Sequence, residues 1–430
     1  MQENLSVNQE GHLCVGGADT TTLASRYGTP LYVMDEGRIR QNCRRLKQSI
    51  EHFYENGGMV LYASKAFSCK EIYRIVKEEG LGVDVVSGGE LYTALAAGFP
   101  AEHIYFHGNN KTPAELAMAL ENHVGHIVAD NLYELETLSS LAASSNTVMP
   151  VLLRIKPGID AHTHDFIRTG QIDSKFGFAL ETGEAEEAFK KALSLPGIQL
   201  TGIHCHIGSQ IFDIEPFEHA AQVMLQFAQD MYRRSGFMIQ ELNLGGGFGI
   251  CYLPSDDPTA LEKYMERVAE VVKRFCEDKA IPIPHICIEP GRSIVGDAGV
   301  TLYTVGTVKQ IPGIRTYVSV DGGMTDNPRY ILYGSDYEIV CANKADQTKD
   351  SIVTVAGRCC ESGDLLQENT PLQQTAPGDI LAVLCTGAYN YSMASNYNRV
   401  PRPAVVMVKD GVDRLIVRRE SYDDLLRNDI

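Results

Sequence analysis

The sequence lacks any run of eighteen apolar residues, so no part of it reads as a membrane-crossing helix. Basic residues are in short supply: 38 Lys and Arg stand against 55 Asp and Glu, and no Lys/Arg cluster offsets the resulting formal charge of −17. Such a surface repels nucleic acid and anionic lipid, which sets aside both as partners. The eleven cysteines contain no C-x-x-C pair and no zinc-finger spacing, so reduced thiols and no metal site are expected. The opening segment "MQENLSVNQEGHLCVGG" has no basic region followed by an apolar stretch, and a cytoplasmic location is the expectation. Internal repeats and low-complexity linkers are lacking too.

What is present is an alternation. Eight short apolar, β-branched runs are separated by segments of helical character: "MVLYASKA" (59–66), "LGVDVVS" (81–87), "HIYFHG" (103–108), "HIVAD" (126–130), "VMPVLLRI" (148–155), "LTGIHCHIG" (200–208), "ELNLGGGFG" (241–249) and "HICIEPG" (285–291). In "CKEIYRIVKEEG" the residues Ile72, Ile75 and Val76 share a helical face, and "PAELAMALENHV" is a further helix candidate. Eight strands with intervening helices predict an α/β fold of the (β/α)8 TIM-barrel type over residues 36–290. A doubly wound sheet is the alternative, but it would carry its glycine-rich segment after the first strand. Beyond residue 291 the texture becomes short alternating strands and turns, which predicts a mostly β C-terminal domain. The segment "TPLYVMDEG" (29–37) is expected to join it, so that residues 1–35 and 291–430 form one β-domain.

Polar or special residues gather at the C-terminal ends of the eight runs: Lys65, Ser87, His107, Asp130, Arg154, His206, Gly245 to Gly247 and Glu289. That end is the mouth where barrel active sites lie. Lys65 in "YASKAF" is either a snorkelling strand-end lysine or an amine held for Schiff-base formation. In "HCHIGSQ", His204 and His206 share a strand face; they suit a metal pair, a structural role, or an imidazole laid flat on an aromatic cofactor, and Ser209 could bind an anion. "LGGGFG" is either a tight turn or a nest of backbone N–H groups for phosphate. "EPGRS" offers Glu289 and Arg292, as a structural ion pair or as a carboxylate for a pyridine nitrogen and a cation for an anion. Lysine, nest, stacking histidine and glutamate together describe a pyridoxal phosphate site. In the β-domain, "RCCESGD" holds Cys360 and Glu361, "NPRYILY" sets Arg329 and Tyr333 four apart, and "GAYNYSM" supplies Tyr389.

These motifs, in this order, resemble the fold-type III pyridoxal phosphate decarboxylases, and among them the branch that acts on meso-2,6-diaminopimelate. The likeness runs from "YGTPLYVMDE" to "VPRPAVV" and takes in "VDVVSGGEL", "HGNNKT", "HTHDFIRTGQIDSKFGF", "VDGGMTDNPRYILY" and "GAYNYSMASNYN". It implies pyridoxal 5'-phosphate as cofactor and decarboxylation to L-lysine and CO2, the last step of lysine biosynthesis. By this resemblance Lys65 would carry the cofactor, His206 would stack on its ring and Glu289 would pair with its pyridine nitrogen. Ser209, Gly247, Gly291 and Arg292 would surround the phosphate. Arg292, Arg329 and Tyr333 would grip the distal carboxylate of the amino-acid substrate, with Tyr389 beside the cofactor and substrate. Cys360 would reprotonate the α-carbon and Glu361 would contact the substrate's amino end, both from the partner subunit of a homodimer with shared active sites. A decarboxylase of ornithine, lysine or arginine, or an inactive cofactor-binding homologue, are the alternatives. The two cations, Arg292 and Arg329, favour a substrate with a second carboxylate. Phe67, Arg358 and Val400 stand where such proteins commonly have other residues.

Overall fold

The structure is a computed structural model and describes residues 3–54, 56–159 and 173–430. Most of "HTHDFIRTGQIDSKFGF" therefore lies outside the described residues. Two compact units are formed, one by residues 43–249 and 257–291, the other by residues 1–42, 250–256 and 292–430.

The first unit is a closed barrel of eight parallel strands: β1 (Gly58–Ala63), β2 (Gly82–Val85), β3 (Ile104–Phe106), β4 (His126–Ala129), β5 (Met149–Lys156), β6 (Ile198–His204), β7 (Glu241–Asn243) and β8 (His285–Ile288). Each pairs with the next, β8 returns to β1 through Ile286 opposite Gly58, and β4 pairs with β5 through Ile127 opposite Val151, so the ring has no free edge. Every expected strand is present. Several stop short of the runs that announced them, because glycines 245–247 and Pro290 are poor ladder residues, and the freed residues become the loops at the barrel mouth. The helices follow their signals. Lys70–Glu78 buries Ile72, Tyr73, Ile75 and Val76 on one face, and Pro113–Glu121 starts with a reciprocal Thr112–Glu115 capping box and proline in its first turn.

Leu61, Tyr105, Val128, Leu152 and Cys287 pack together, with Met59 against them. Buried Glu241 on β7 accepts a 3.0 Å bond from the Tyr105 hydroxyl, and the His126 ring stacks on Tyr105 with centroids 4.3 Å apart. Desolvation pushes the Glu241 carboxyl up to about 7.

The second unit is mostly β. Its long strand Gly299–Ile311 pairs with Leu31–Asp35, with Ile380–Val383 and with Arg315–Val320 along successive parts of its length. Leu31–Asp35 also runs parallel to Ala404–Lys409, so the N-terminal segment joins the β-unit as its sequence suggested. Side chains alternate along a strand, so Val300 and Leu302 enter one apolar cluster while Tyr303 and Val305 enter another. Both faces of that strand are buried over its first half, up to Val305. Among the described residues no helix is long and apolar enough to cross a membrane.

The raised Glu241 carboxyl keeps its proton in the folded chain at pH values where an unfolded chain has already lost it. Stability therefore falls as pH rises from about 4.5 towards 7 and stays lower above that. Glu241→Gln is expected to change stability little near pH 5 and to raise it by about 1–3 kcal/mol near pH 8, measured by urea denaturation at both values. Equal effects at the two pH values would show that Glu241 does not titrate in this interval.

Candidate active site

Glu289 follows β8 and is buried. His107, just past β3, places Nε2 2.8 Å from Oε1, and His204, the last residue of β6, places Nε2 3.1 Å from Oε2. Asn243, ending β7, donates Nδ2–H to Oε1 at 2.7 Å and has its amide orientation set by accepting from the Gly245 N–H at 2.9 Å. The two imidazoles meet edge to face, with centroids 4.8 Å apart. Burial alone would raise the Glu289 pKa, but the two histidines hold it well below the usual carboxylate range. Burial also lowers His204 to about 4, so its ring is neutral. His204 thus pairs with Glu289 and His107 and does not act with His206, as their shared strand face had allowed.

His206 lies beyond the end of β6, and its Nδ1 accepts the Gly246 N–H at 3.2 Å. Desolvation first, and then the charge of Lys65, keep it well below its ordinary value, so the ring is a neutral plate of defined orientation. The glycine run makes this geometry accessible. A Cβ at Gly246 would stand 2.1 Å from the Glu289 carbonyl oxygen, and one at Gly245 2.5 Å from that of Cys205. Gly245 and Gly247 take φ of +68° and +118°, which side-chain-bearing residues rarely adopt. The loop holding Ser209 is stitched to this run by Ile211 N–H to the Gly247 carbonyl at 3.0 Å and Gly249 N–H back to the Ile211 carbonyl at 3.1 Å. Gly291 lies where a Cβ would press within 3.0 Å of the Ala63 and Ala66 methyls. Lys65 is exposed, on the 3-10 turn Ser64–Ala66 that follows β1, two residues past the strand end.

Other residues at the strand ends serve structure. Ser87 caps the helix Gly88–Ala96, Asp130 accepts the Gly177 N–H at 2.9 Å, and Arg154 lies over the Phe176 ring at 4.2 Å.

In the β-unit, Arg292 and Arg329 are both buried. Their Cζ atoms lie 4.9 and 5.4 Å from the centroid of the same Tyr389 ring, and Tyr333 faces Arg329 at 5.3 Å. Arg292 also donates to the Tyr252 hydroxyl, and the Tyr252 ring meets Tyr337 edge to face at 5.5 Å. Arg329 donates to Ser335 at 3.2 Å; among the described residues it has no carboxylate partner, and its Nε has no hydrogen-bond partner. Tyr389 holds φ of +61° on a loop braced by the Asn390 amide, which donates to the Thr386 and Ala388 carbonyls. Cys360 and Glu361 are exposed on the turn after strand Ser351–Ala356, where the Cys360 N–H donates to Asn398 at 2.7 Å. Sequence reasoning missed Asn243 and Tyr252. It saw His107 and His204 without their shared partner. For Tyr252 the sole signal is its place five residues beyond Gly247.

Residues 36–296 match the pyridoxal binding domain of the pyridoxal-dependent decarboxylases. The diaminopimelate decarboxylase of Bacillus subtilis (strain 168) is 52% identical over 98% of this chain and 96% of its own length. The chain belongs to the diaminopimelate decarboxylases. A crystal structure of diaminopimelate decarboxylase from M. jannaschii superposes with a TM-score of 0.93 at 34% identity, covering 100% of this chain and 98% of that one. The same enzyme in co-complex with L-lysine gives 0.91, with the same identity and coverage.

The barrel residues suit the cofactor of the diaminopimelate decarboxylases. An exposed lysine, a neutral imidazole plate, a buried anionic carboxylate and a loop that admits no Cβ are what an aldehyde, an aromatic ring, a basic ring nitrogen and a bulky phosphate require. Gly246→Ala drives a methyl into the Glu289 carbonyl. It is expected to weaken pyridoxal phosphate binding at least about tenfold and to lower stability by about 1–3 kcal/mol, read from absorbance titration of the apoprotein and from thermal unfolding. Wild-type affinity in this variant would remove the glycine run from the cofactor site.

Proposed function

We propose that this chain converts meso-2,6-diaminopimelate to L-lysine and CO2 with pyridoxal 5'-phosphate, and that it acts as a homodimer in the cytoplasm. When bound, the cofactor supplies an electron-poor ring that accepts the electron pair left as the bond to the departing carboxylate breaks. Lys65 secures it through the side-chain amine. Ser209, Gly247, Gly291 and Arg292 surround its phosphate, and His206 covers one ring face and excludes water there. Glu289 holds a proton at the ring nitrogen, which maintains the ring's appetite for electrons. Cys360 delivers a proton to the α-carbon after CO2 has left, and Glu361 receives the ammonium at the far end of the substrate. A thiol in that role fits a reducing compartment.

One observation carries the choice of substrate. Arg329 is buried with no carboxylate partner among the described residues, beside Tyr333, and shares the Tyr389 ring with Arg292. A buried guanidinium lacking an anion invites one, and the distal carboxylate of meso-diaminopimelate supplies it with charge-assisted hydrogen bonds. Ornithine, lysine and arginine would bring a cation or nothing to the same place.

The reconstituted protein is expected to release CO2 from meso-diaminopimelate and far less from ornithine, lysine or arginine. Arg329→Gln is expected to lower kcat/KM for meso-diaminopimelate about tenfold to a hundredfold. Preference for a basic amino acid in the wild-type protein would overturn the substrate assignment. For the shared site, inactive Lys65→Ala and Cys360→Ala chains are mixed under conditions of subunit exchange. If Cys360 serves the partner's site, half of the dimers are mixed and each has one intact site, which restores about a quarter of wild-type activity. No recovery despite exchange would place Lys65 and Cys360 in the same subunit's site.

A further inference from the structure

Two buried imidazoles remain without a role in the reaction as described. We infer that His204, by donating Nε2–H to Glu289, and His107, packed against the other carboxylate oxygen, are positioning residues that hold Glu289 as an anion able to keep the pyridine nitrogen protonated. The inference deepens, and rests on, the cofactor reading given above.

A carboxyl group withdrawn from water prefers to keep its proton. A protonated Glu289 would offer an O–H to the ring nitrogen and leave the ring neutral. Against that stand two hydrogen-bond donors, His204 at 3.1 Å and the Asn243 amide at 2.7 Å, while the His107 Nε2 lies 2.8 Å from Oε1 but out of line for a hydrogen bond. An ionised carboxylate accepts about four hydrogen bonds, so these two favour the anion and leave room for a further N–H. The donor assignment follows from the same geometry. A carboxylate cannot donate, so the His204 Nε2 bonded to it carries the hydrogen. On His204 the opposite nitrogen, Nδ1, is buried with no hydrogen-bond partner among the described residues. A second proton there would have no acceptor, and His204 therefore stays a single-proton donor. The edge-to-face packing of the two rings, at 72°, limits their rotation away from Glu289.

The test uses holoenzyme loaded with pyridoxal phosphate labelled with nitrogen-15 in the ring, whose chemical shift reports protonation directly. His107→Leu, His204→Leu and the double variant are expected to move the resonance towards the unprotonated position. They should lower kcat about tenfold to a hundredfold with KM nearly unchanged. His204→Gln retains an N–H donor and is expected to return both readouts to within about threefold of wild type. A ring nitrogen that stays fully protonated in the double leucine variant would overturn the inference. Should the leucine variants fail to fold, the wild-type holoenzyme labelled with nitrogen-15 in histidine decides. Protonated Nε2 on His204 supports the inference, and an unprotonated one sinks it. Failure of the functional reading is distinct: wild-type protein would bind the cofactor, with the ring nitrogen protonated, yet turn over no amino acid.

Discussion

A carboxylate sealed inside a barrel is the constraint on which the catalytic half of this molecule depends. Glu289 is removed from water, and an anion in that position is tolerated only where donors replace the lost hydration. The hydrogen-bond donors come from the ends of β6 and β7, His107 approaches from the end of β3, and Glu289 itself stands at the end of β8. None of the four is close to another in the chain. Closure of the barrel in one register brings them together, because a slip of one residue would turn each side chain to the opposite face of its strand. The surroundings of Glu289 therefore depend on the barrel register as a whole.

Close backbone approach is the second condition. The glycine run after β7 meets the Glu289 and Cys205 carbonyls at distances that leave no room for Cβ, and it supplies the N–H that fixes His206. Short strands contribute to the same end. By stopping at Ala63, His204, Asn243 and Ile288, they release the next few residues to act as loops on a rigid ring.

The β-unit solves the reverse electrostatic problem. Arg292 and Arg329 are cations withdrawn from water, and tyrosine faces and hydroxyls surround them, with no carboxylate beside Arg329 among the described residues. Aromatic faces offset part of the desolvation of a guanidinium without neutralising it. Cations held in this way keep their positive charge.

Much of this was legible in the chain itself. Strand runs and helices stand out because burial imposes periods of 2 and 3.6 on apolar residues, and Lys65 stands out because an ammonium interrupts such a run. The motif order identified the family and with it the cofactor. What no local pattern revealed is which groups face one another. "EPGRS" suggested Glu289 and Arg292 as an ion pair, whereas the partners of Glu289 include His204 and Asn243, 85 and 46 residues earlier, together with His107. His204 and His206 looked equivalent on one strand face; the strand ends between them, and one serves a carboxylate while the other accepts a glycine N–H. Composition and periodicity determine that strands form and which faces are buried, since both depend on neighbours along the chain. The identity of a buried charge's partners is decided only when the ring closes, because those contacts are made across sequence separations that carry no periodic signal.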